Sequence, residues 1–165
     1  MQSVMVRPVT AGDAEAVAHI YSHYVLNSTI SFEEEPVLPD AMSQRIQEVF
    51  SSSLPWLIAA HADRIVGYAF AGKWKGRCAY RYSAETSVYL DPEFIGRGIG
   101  TQLYQALLAA LQDQSIHVVI GGVALPNPAS VALHERLGFA KVAHFKEVGY
   151  KFGHWIDVGY WQRSL

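Results

Sequence analysis

Apolar residues recur in this chain with two different periods, and segments with one period alternate with segments with the other. Runs of strand length, alternating or continuous in apolar residues, occur at 4–9, 55–62, 64–74, 83–90, 117–124, 140–150 and 154–162. Apolar residues recur at helical spacing over 14–24, 41–50, 101–114 and 127–138. The pattern therefore predicts a mixed α/β protein in the order strand, two helices, three strands, helix, strand, helix and two strands.

Turn and capping residues separate these elements. Thr10 or Asp13 is the expected cap of the first helix, and the polar, acidic segment 27–40 is the expected loop before the second. The runs at 55–62 and 64–74 are joined so closely that they predict a hairpin.

Composition narrows the class of protein. The chain has 165 residues, half of them hydrophobic, a net charge of −2 and a single cysteine, Cys78. This size predicts one domain over 1–165, and the charge gives no reason to expect nucleic acid or a membrane surface as partner. One cysteine excludes an internal disulfide and a cysteine-rich zinc site. The N-terminus does not resemble a signal peptide, so we expect a cytoplasmic protein.

Three glycines fall in "IGRGIG", residues 95–100, between a predicted strand and a predicted helix. A helix start carries unpaired N–H groups and the positive end of the helix dipole. Glycines let a phosphate approach that backbone, and Arg97 adds a positive charge. The segment is a candidate anion site, although a glycine-rich turn is also explained by tight packing.

A second polar motif follows about thirty residues later. "NPASVALHERLGF" begins with Asn127 as the expected N-cap, and Ser130 and His134 fall on neighbouring parts of the same helix face. Each of these side chains, taken alone, is also explained by an ordinary cap and a polar outer face.

Glu85 stands out because it lies inside an apolar strand, where a carboxylate is expensive to bury. Strand alternation puts Glu85, Ser87 and Tyr89 on one face. Near this strand, "GKWKGRCAYRY" gathers basic and aromatic side chains that could hold a carboxylate and a second oxygen-rich group. A solvated hairpin loop is the alternative for that cluster, as an edge charge is for Glu85.

The two motifs resemble a known family. "PEFIGRGIGTQLYQALL" is similar to the acetyl-CoA pyrophosphate loop and helix of the GNAT N-acetyltransferase superfamily, and "NPASVALHERLGF" is similar to a later segment of it. The resemblance implies a mostly antiparallel central sheet flanked by helices, with acetyl-CoA as co-substrate. "WKGRCAYRYSAETSVYL", "GYKFGHWIDVGYWQ" and "NSTISFEEEP" further resemble phosphinothricin and methionine sulfone or sulfoximine N-acetyltransferases. N-acetylation of such a small amino acid analogue is the implied function.

The resemblance also assigns residues. It implies that the cofactor is held by Val88, Tyr89, Leu90, Ile95, Gly96, Arg97, Gly98, Ile99, Gly100, Thr101, Asn127 and Ser130. Ile95 departs from the glutamine or arginine that usually begins this loop, so a side-chain contribution is missing there. The implied base is Glu85, and His134 stands where many relatives carry a tyrosine acid, with Tyr104 and Tyr89 as alternatives. Substrate contacts are implied for Phe32, Glu35, Trp74, Lys75 and Arg77. A homodimer is implied, and no metal is needed.

Two other classes of function remain open from the sequence. The chain could be a non-catalytic acyl-CoA sensor, which would need no base. It could also acetylate another amine, such as a polyamine, a lysine or a peptide N-terminus.

Overall fold

A computed structural model describes residues 3–165, and its helices and strands follow the predicted order. The strands are β1 (Met5–Pro8), β2 (Trp56–His61), β3 (Arg64–Lys73), β4 (Ser83–Leu90), β5 (Val118–Leu125), β6 (Ala140–Lys151) and β7 (His154–Ser164). The helices are α1 (Ala14–Asn27), α2 (Pro39–Ser51), α3 (Ile99–Asp113) and α4 (Pro128–Arg136). The prediction of a mixed α/β protein is confirmed.

The strands form one seven-stranded sheet in the order β1-β2-β3-β4-β5-β7-β6. β2 and β3 are the predicted hairpin. β4 and β5 pair in parallel, and the other neighbours in the sheet are antiparallel. The parallel pairing is short, because it runs only from Ser83 opposite Val118 to Glu85 opposite Ile120. Beyond Glu85 the two strands no longer pair, so the sheet opens at its middle.

Helices cover both faces of the sheet. On one face, the ring of Tyr21 in α1 meets the ring of Tyr89 in β4 edge to face at 5.2 Å. On the other face, Tyr104 in α3 contacts Thr86 in β4. Adjacent residues of β4 therefore face opposite layers, as the alternation of apolar and polar positions predicts. The helical spacing of α3 is explained by its fully buried leucines, Leu103, Leu107 and Leu111.

The boundaries differ from the predicted ones by a few residues. α2 begins at Pro39, which suits a first helical position because proline has no N–H to leave unpaired. Asp13 does close the turn before α1, where it accepts hydrogen bonds from the N–H and hydroxyl of Thr10. Short 3₁₀ helices at Ala11–Asp13, Cys78–Tyr80 and Pro92–Phe94 were not predicted. None of the helices described within 3–165 is long and apolar enough to cross a membrane.

Candidate active site

The opening between β4 and β5 forms a narrow slot of about 60 Å³. It is lined by side chains and backbone from both strands and from α4, including Val88, Tyr89, Gly122, Asn127, Ser130 and His134. Residues 86–90 pair only with β3, so alternate N–H and C=O groups of this segment face the slot instead of a neighbouring strand. The slot thus offers unpaired backbone donors along an extended path.

The glycine loop lies directly after β4. Gly96 and Gly98 have φ angles of 80° and 78°, a left-handed conformation that favours glycine. A Cβ atom at either position would meet no heavy atom within 4 Å, so open space lies beside both. α3 begins at Ile99 immediately after Gly98. The loop therefore presents the positive end of a helix at a surface that a phosphate can approach.

The other loop residues are placed differently from one another. Gly100 is buried, and a Cβ there would lie 3.6 Å from Leu90 and 3.7 Å from Leu133, so this glycine belongs to the packing of α3. Ile95 is exposed. The Arg97 guanidinium donates to the Glu93 carbonyl at 2.9 Å and lies over the Phe94 ring. In this conformation Arg97 is held by its own loop, and its contact with a phosphate stays a prediction.

Glu85 faces a cavity of about 220 Å³ that adjoins the slot. Tyr21, Ile30, Phe32, Tyr89 and Tyr160 also line this cavity. Burial raises the pKa of the Glu85 carboxyl, and the positive charge of Lys75 partly opposes that shift. Gly122 faces the same carboxylate, since a Cβ there would lie 3.5 Å from Glu85 Oε1. Glu85 is therefore a more basic carboxylate than usual, open to a small molecule.

On the opposite face of β4, a chain of hydrogen bonds runs through three elements. The Thr86 hydroxyl is 2.5 Å from the Tyr104 hydroxyl, which is 3.0 Å from His134 Nε2. His134 Nδ1 is 2.7 Å from the carbonyl oxygen of Ser130. A carbonyl can only accept, so Nδ1 carries the imidazole proton and Nε2 accepts from Tyr104. All three side chains are buried.

This chain of hydrogen bonds determines the protonation state of His134. Burial lowers the pKa of the imidazole, against the hydrogen bond to the Ser130 carbonyl that raises it. The ring is therefore neutral at neutral pH, and the proton between His134 and Tyr104 belongs to the tyrosine hydroxyl. The sequence analysis gave Tyr104 as an alternative to His134 for the acid, and the structure places the two side chains within hydrogen-bond distance of each other. A Cβ at Gly121 would lie 2.4 Å from His134 Nε2, so this glycine leaves the space that the ring occupies.

The predicted substrate residues divide into two groups. Phe32 lines the Glu85 cavity, Trp74 meets Tyr160 of that cavity edge to face at 5.6 Å, and Lys75 Nζ lies 5.1 Å from the Trp74 ring. Arg77 lines a separate cavity of about 540 Å³, and Lys75 lines that cavity too. Glu35 is exposed and lines neither cavity. Contacts of Arg77 and Glu35 with a substrate stay predictions.

Lys151 was missed by the sequence reasoning. Its buried ammonium donates to the carbonyls of Val25 and Ser31, at 2.7 Å each. These carbonyls belong to the end of α1 and to the loop that carries Phe32, and the Phe32 ring itself packs against Gly149 in β6. β6 thus fixes the loop that closes the Glu85 cavity. A lysine within an apolar strand, as in "GYKFG", was the available signal.

Across residues 3–165 no group of three or more histidine, cysteine, aspartate or glutamate side chains is arranged to hold a metal ion. The residues with candidate roles in the chemistry are Glu85 and the Thr86–Tyr104–His134 chain, together with backbone N–H groups.

Known proteins resemble this chain in sequence and in fold. A family model described as an acetyltransferase (GNAT) domain matches residues 6–159. The chain is 39% identical over 162 residues to phosphinothricin N-acetyltransferase of Streptomyces viridochromogenes, a match that covers 98% of this chain and 88% of that protein. It is 31% identical over 160 residues to L-methionine sulfoximine/L-methionine sulfone acetyltransferase of Salmonella typhimurium, with 97% and 94% covered. A crystal structure of a GNAT superfamily phosphinothricin acetyltransferase from Sinorhizobium meliloti, in complex with acetyl-CoA, matches with a TM-score of 0.95 and 32% identity, and covers 98% of this chain and 88% of that one. The chain therefore belongs to the GNAT family and is an acetyltransferase.

Proposed function

We propose that this enzyme transfers an acetyl group from acetyl-CoA to the amino group of a small amino acid analogue of the phosphinothricin, methionine sulfoximine or methionine sulfone type. One observation carries the proposal: the basic Glu85 carboxylate lies in a small cavity that meets the β4–β5 slot. The cavity and the slot share Tyr89 and Gly122 in their walls. An amine in the cavity and a thioester in the slot would meet beside Glu85.

The co-substrate fits the observed features. The pyrophosphate would lie against the open side of Gly96 and Gly98 at the start of α3. The pantetheine arm would follow the slot, where an extended chain can accept from free N–H groups of residues 86–90. Asn127 and Ser130 line the far wall. The Asn127 side chain already accepts from the Ser130 N–H as a helix cap, so its amide nitrogen is the group left for the arm.

The reaction then needs two proton transfers. Glu85 takes a proton from the substrate ammonium, directly or through water, and the amine nitrogen attacks the thioester carbonyl carbon. The carbonyl oxygen gains negative charge, which a free N–H near Val88 would stabilise. The new N–C bond forms and the attacking nitrogen loses its second proton; the C–S bond breaks, and the CoA sulfur leaves as a thiolate, which this proton neutralises.

The thiolate leaves without much assistance, because a free thiol has a pKa of about 8.5. The hydrogen-bonded pair of Tyr104 and neutral His134 can pass the second nitrogen proton to the sulfur; burial raises the pKa of the Tyr104 hydroxyl, so this hydroxyl is not itself the proton source. We therefore assign Glu85 as the essential base and His134 as an assisting group.

Positive charge near the cavity favours an amino acid as acceptor. The positive charge of Lys75 opposes the rise in the pKa of Glu85 that burial causes, and the same charge would attract the acceptor's carboxylate. Trp74 and Tyr160 form an aromatic wall beside it. The relatives named for phosphinothricin and for methionine sulfoximine or sulfone support this class of acceptor.

We also propose a homodimer through β6 and β7. The large apolar side chains exposed on these two strands and their turn are Val142, Phe145, Val148, Tyr150, Phe152 and Trp155. β6 lies at the edge of the sheet, and a concentration of large exposed apolar side chains at an edge is typical of a subunit interface. Analytical ultracentrifugation of the wild-type protein and of Trp155→Lys tests this proposal.

Thiol release from acetyl-CoA, measured over a panel of amines, tests the function. We expect the three analogues to react faster than spermidine, lysine peptides or peptide N-termini at equal concentration. Faster reaction of any of these other amines would refute the substrate class but leave the acetyltransferase assignment intact. Tight acetyl-CoA binding with no thiol release for any amine would favour a sensor.

A further inference from the structure

Another cavity, distinct from those described above, lies between the sheet and helices α1 and α2, beside the cavity that holds Glu85. Its volume is about 490 Å³, which is the size of a small-molecule site. Trp56, Phe70, Tyr68 and Tyr89 form a row of stacked rings along the sheet side of this cavity, with neighbouring centroids 4.2–6.3 Å apart. An apolar, extended or planar group is the occupant that such a wall favours.

The cavity is continuous with the proposed acceptor site. Tyr21 and Tyr89 line both cavities. Gly72 lines the aromatic cavity and is the residue directly opposite Glu85 in the β3–β4 pairing. Residues directly opposite each other project to the same face of a sheet. The aromatic cavity therefore begins on the face where Glu85 would receive the acceptor's proton.

One buried polar group in the wall lacks a partner. Trp56 lines the cavity, is only 2% exposed, and its indole N–H makes no hydrogen bond within residues 3–165. A buried donor without an acceptor is unfavourable, so an occupant that brings an acceptor atom would be held by it. The charged residues of the lining do not require an anionic occupant, because Arg45 is paired with Glu33 at 2.6 Å and the lining holds both Lys73 and Glu48.

We propose that this aromatic cavity is the side-chain subsite for the acetyl acceptor, and that it selects an extended side chain, apolar along its length, that carries a hydrogen-bond acceptor near its end. The inference rests on the proposed function, since it assumes that an amino acid places its nitrogen at Glu85. A sulfone or sulfoximine oxygen on an unbranched chain has this chemistry, and the cavity leaves room for longer or aryl side chains. A short or cationic side chain does not fit this description.

A binding experiment tests the subsite without turnover. The indole ¹H–¹⁵N signal of Trp56, identified by its loss in Trp56→Phe, is followed while L-methionine sulfone or L-norleucine is added to the wild-type protein. If that variant does not fold, replacement of the other three tryptophans identifies the signal by elimination. We expect a large shift with methionine sulfone and a smaller one with norleucine. An unmoved Trp56 signal at saturating ligand overturns the proposal, whichever amine the enzyme acetylates.

A kinetic experiment uses two matched glycine substitutions. Gly72→Val places a side chain in the cavity opposite Glu85, where a built Cβ meets nothing within 4 Å. Gly12→Val, at an exposed position before α1 whose Cβ meets only Thr10 Oγ1 at 3.8 Å, is the control. We expect Gly72→Val to raise the KM for methionine sulfone about tenfold or more, with little change in the KM for acetyl-CoA or for L-alanine.

The results separate the subsite from the proposed function. If Gly72→Val raises the KM for L-alanine as much as the KM for methionine sulfone, or raises neither, the proposed subsite is wrong while amino acid acetylation stands. If the wild-type enzyme acetylates no amino acid, the proposed function fails, and the Trp56 signal alone decides whether the cavity binds the side chain.

Discussion

Gly98 allows the backbone part of the cofactor site to be tested apart from stability. Gly98→Ala adds one methyl group at the start of α3, where nothing lies within 4 Å of the new Cβ. The methyl therefore meets no protein atom, and the stability cost comes only from holding alanine at a φ of 78°. That cost is about 1–2 kcal/mol, which corresponds to a fall in Tm of about 2–8 °C in a chain of this size.

Gly153→Ala is the matched control. Gly153 lies in the turn between β6 and β7 with a φ of 76°, and a Cβ there also meets nothing within 4 Å. The two variants should therefore lose the same stability. Only the methyl group of Gly98→Ala would lie between a phosphate and the backbone of the loop. Losing one hydrogen bond to a charged group removes about 1.5–3 kcal/mol of binding, so the Kd for acetyl-CoA should rise at least about tenfold.

Titration calorimetry with acetyl-CoA on the two folded variants provides the measurement, with Tm read from the same preparations. The expected result is equal Tm values and a weaker Kd for Gly98→Ala alone. If both variants bind acetyl-CoA like the wild-type enzyme, the pyrophosphate does not approach Gly98, and the anion site at this loop is wrong.

Three further substitutions have separable outcomes. Glu85→Gln should lower kcat/KM by about 10²–10⁴ yet increase the free energy of unfolding at pH 7, because burial raises the pKa of Glu85 and the ionised carboxylate destabilises the fold above that pKa. Urea titrations should show that this gain in stability vanishes well below pH 4.5. A variant that is no more stable than the wild-type protein at pH 7 would contradict this. Asp13→Asn should lower the free energy of unfolding by about 2 kcal/mol at pH 7, because hydrogen bonds from Arg7 hold the pKa of Asp13 at about 2 instead of 3.8. This loss of stability should shrink as the pH falls through that range. A loss that is the same at pH 2 and pH 7 would refute the role of the ion pair. Lys151→Met should raise the KM for the amine more than the KM for acetyl-CoA, because the carbonyls that Lys151 holds belong to the acceptor side of the site, and an equal rise in both KM values would argue for a general loss of structure.

The sequence predicted the parts of this molecule that depend on local periodicity. A strand alternates with period two, so the face of Glu85 followed from its place among Ser87 and Tyr89. Helix caps are also local, which explains why Asn127 was predicted as the N-cap of α4 and is found there. The family resemblance then supplied the fold around these elements.

Features that cross the fold could not be predicted in this way. No spacing in the sequence relates Thr86, Tyr104 and His134, which meet only because α3 and α4 lie on one face of the sheet. The segment between β3 and β4 has no period that determines its path, so the sequence could not show that Lys75 and Arg77 line a cavity apart from the one around Glu85. Gly100 looked like its two neighbouring glycines, and only its packing against Leu90 separates it from them.

The short pairing between β4 and β5 explains why one strand can serve both halves of the reaction. If the parallel ladder continued past Glu85 and Ile120, the N–H groups of residues 86–90 would be used in the sheet and the slot would be closed. Because it stops there, the strand's two faces meet at an opening: Glu85 faces the acceptor cavity, and Thr86 faces the chain through Tyr104 to His134. A shift of the strand by one residue would exchange these faces. An inserted alanine between Ala84 and Glu85 should therefore abolish acetyl transfer even in a folded protein, whereas an alanine inserted in the β6–β7 turn should not. Retained acetyl transfer in the folded β4 insertion would show that the opposed placement of Glu85 and Thr86 is not required.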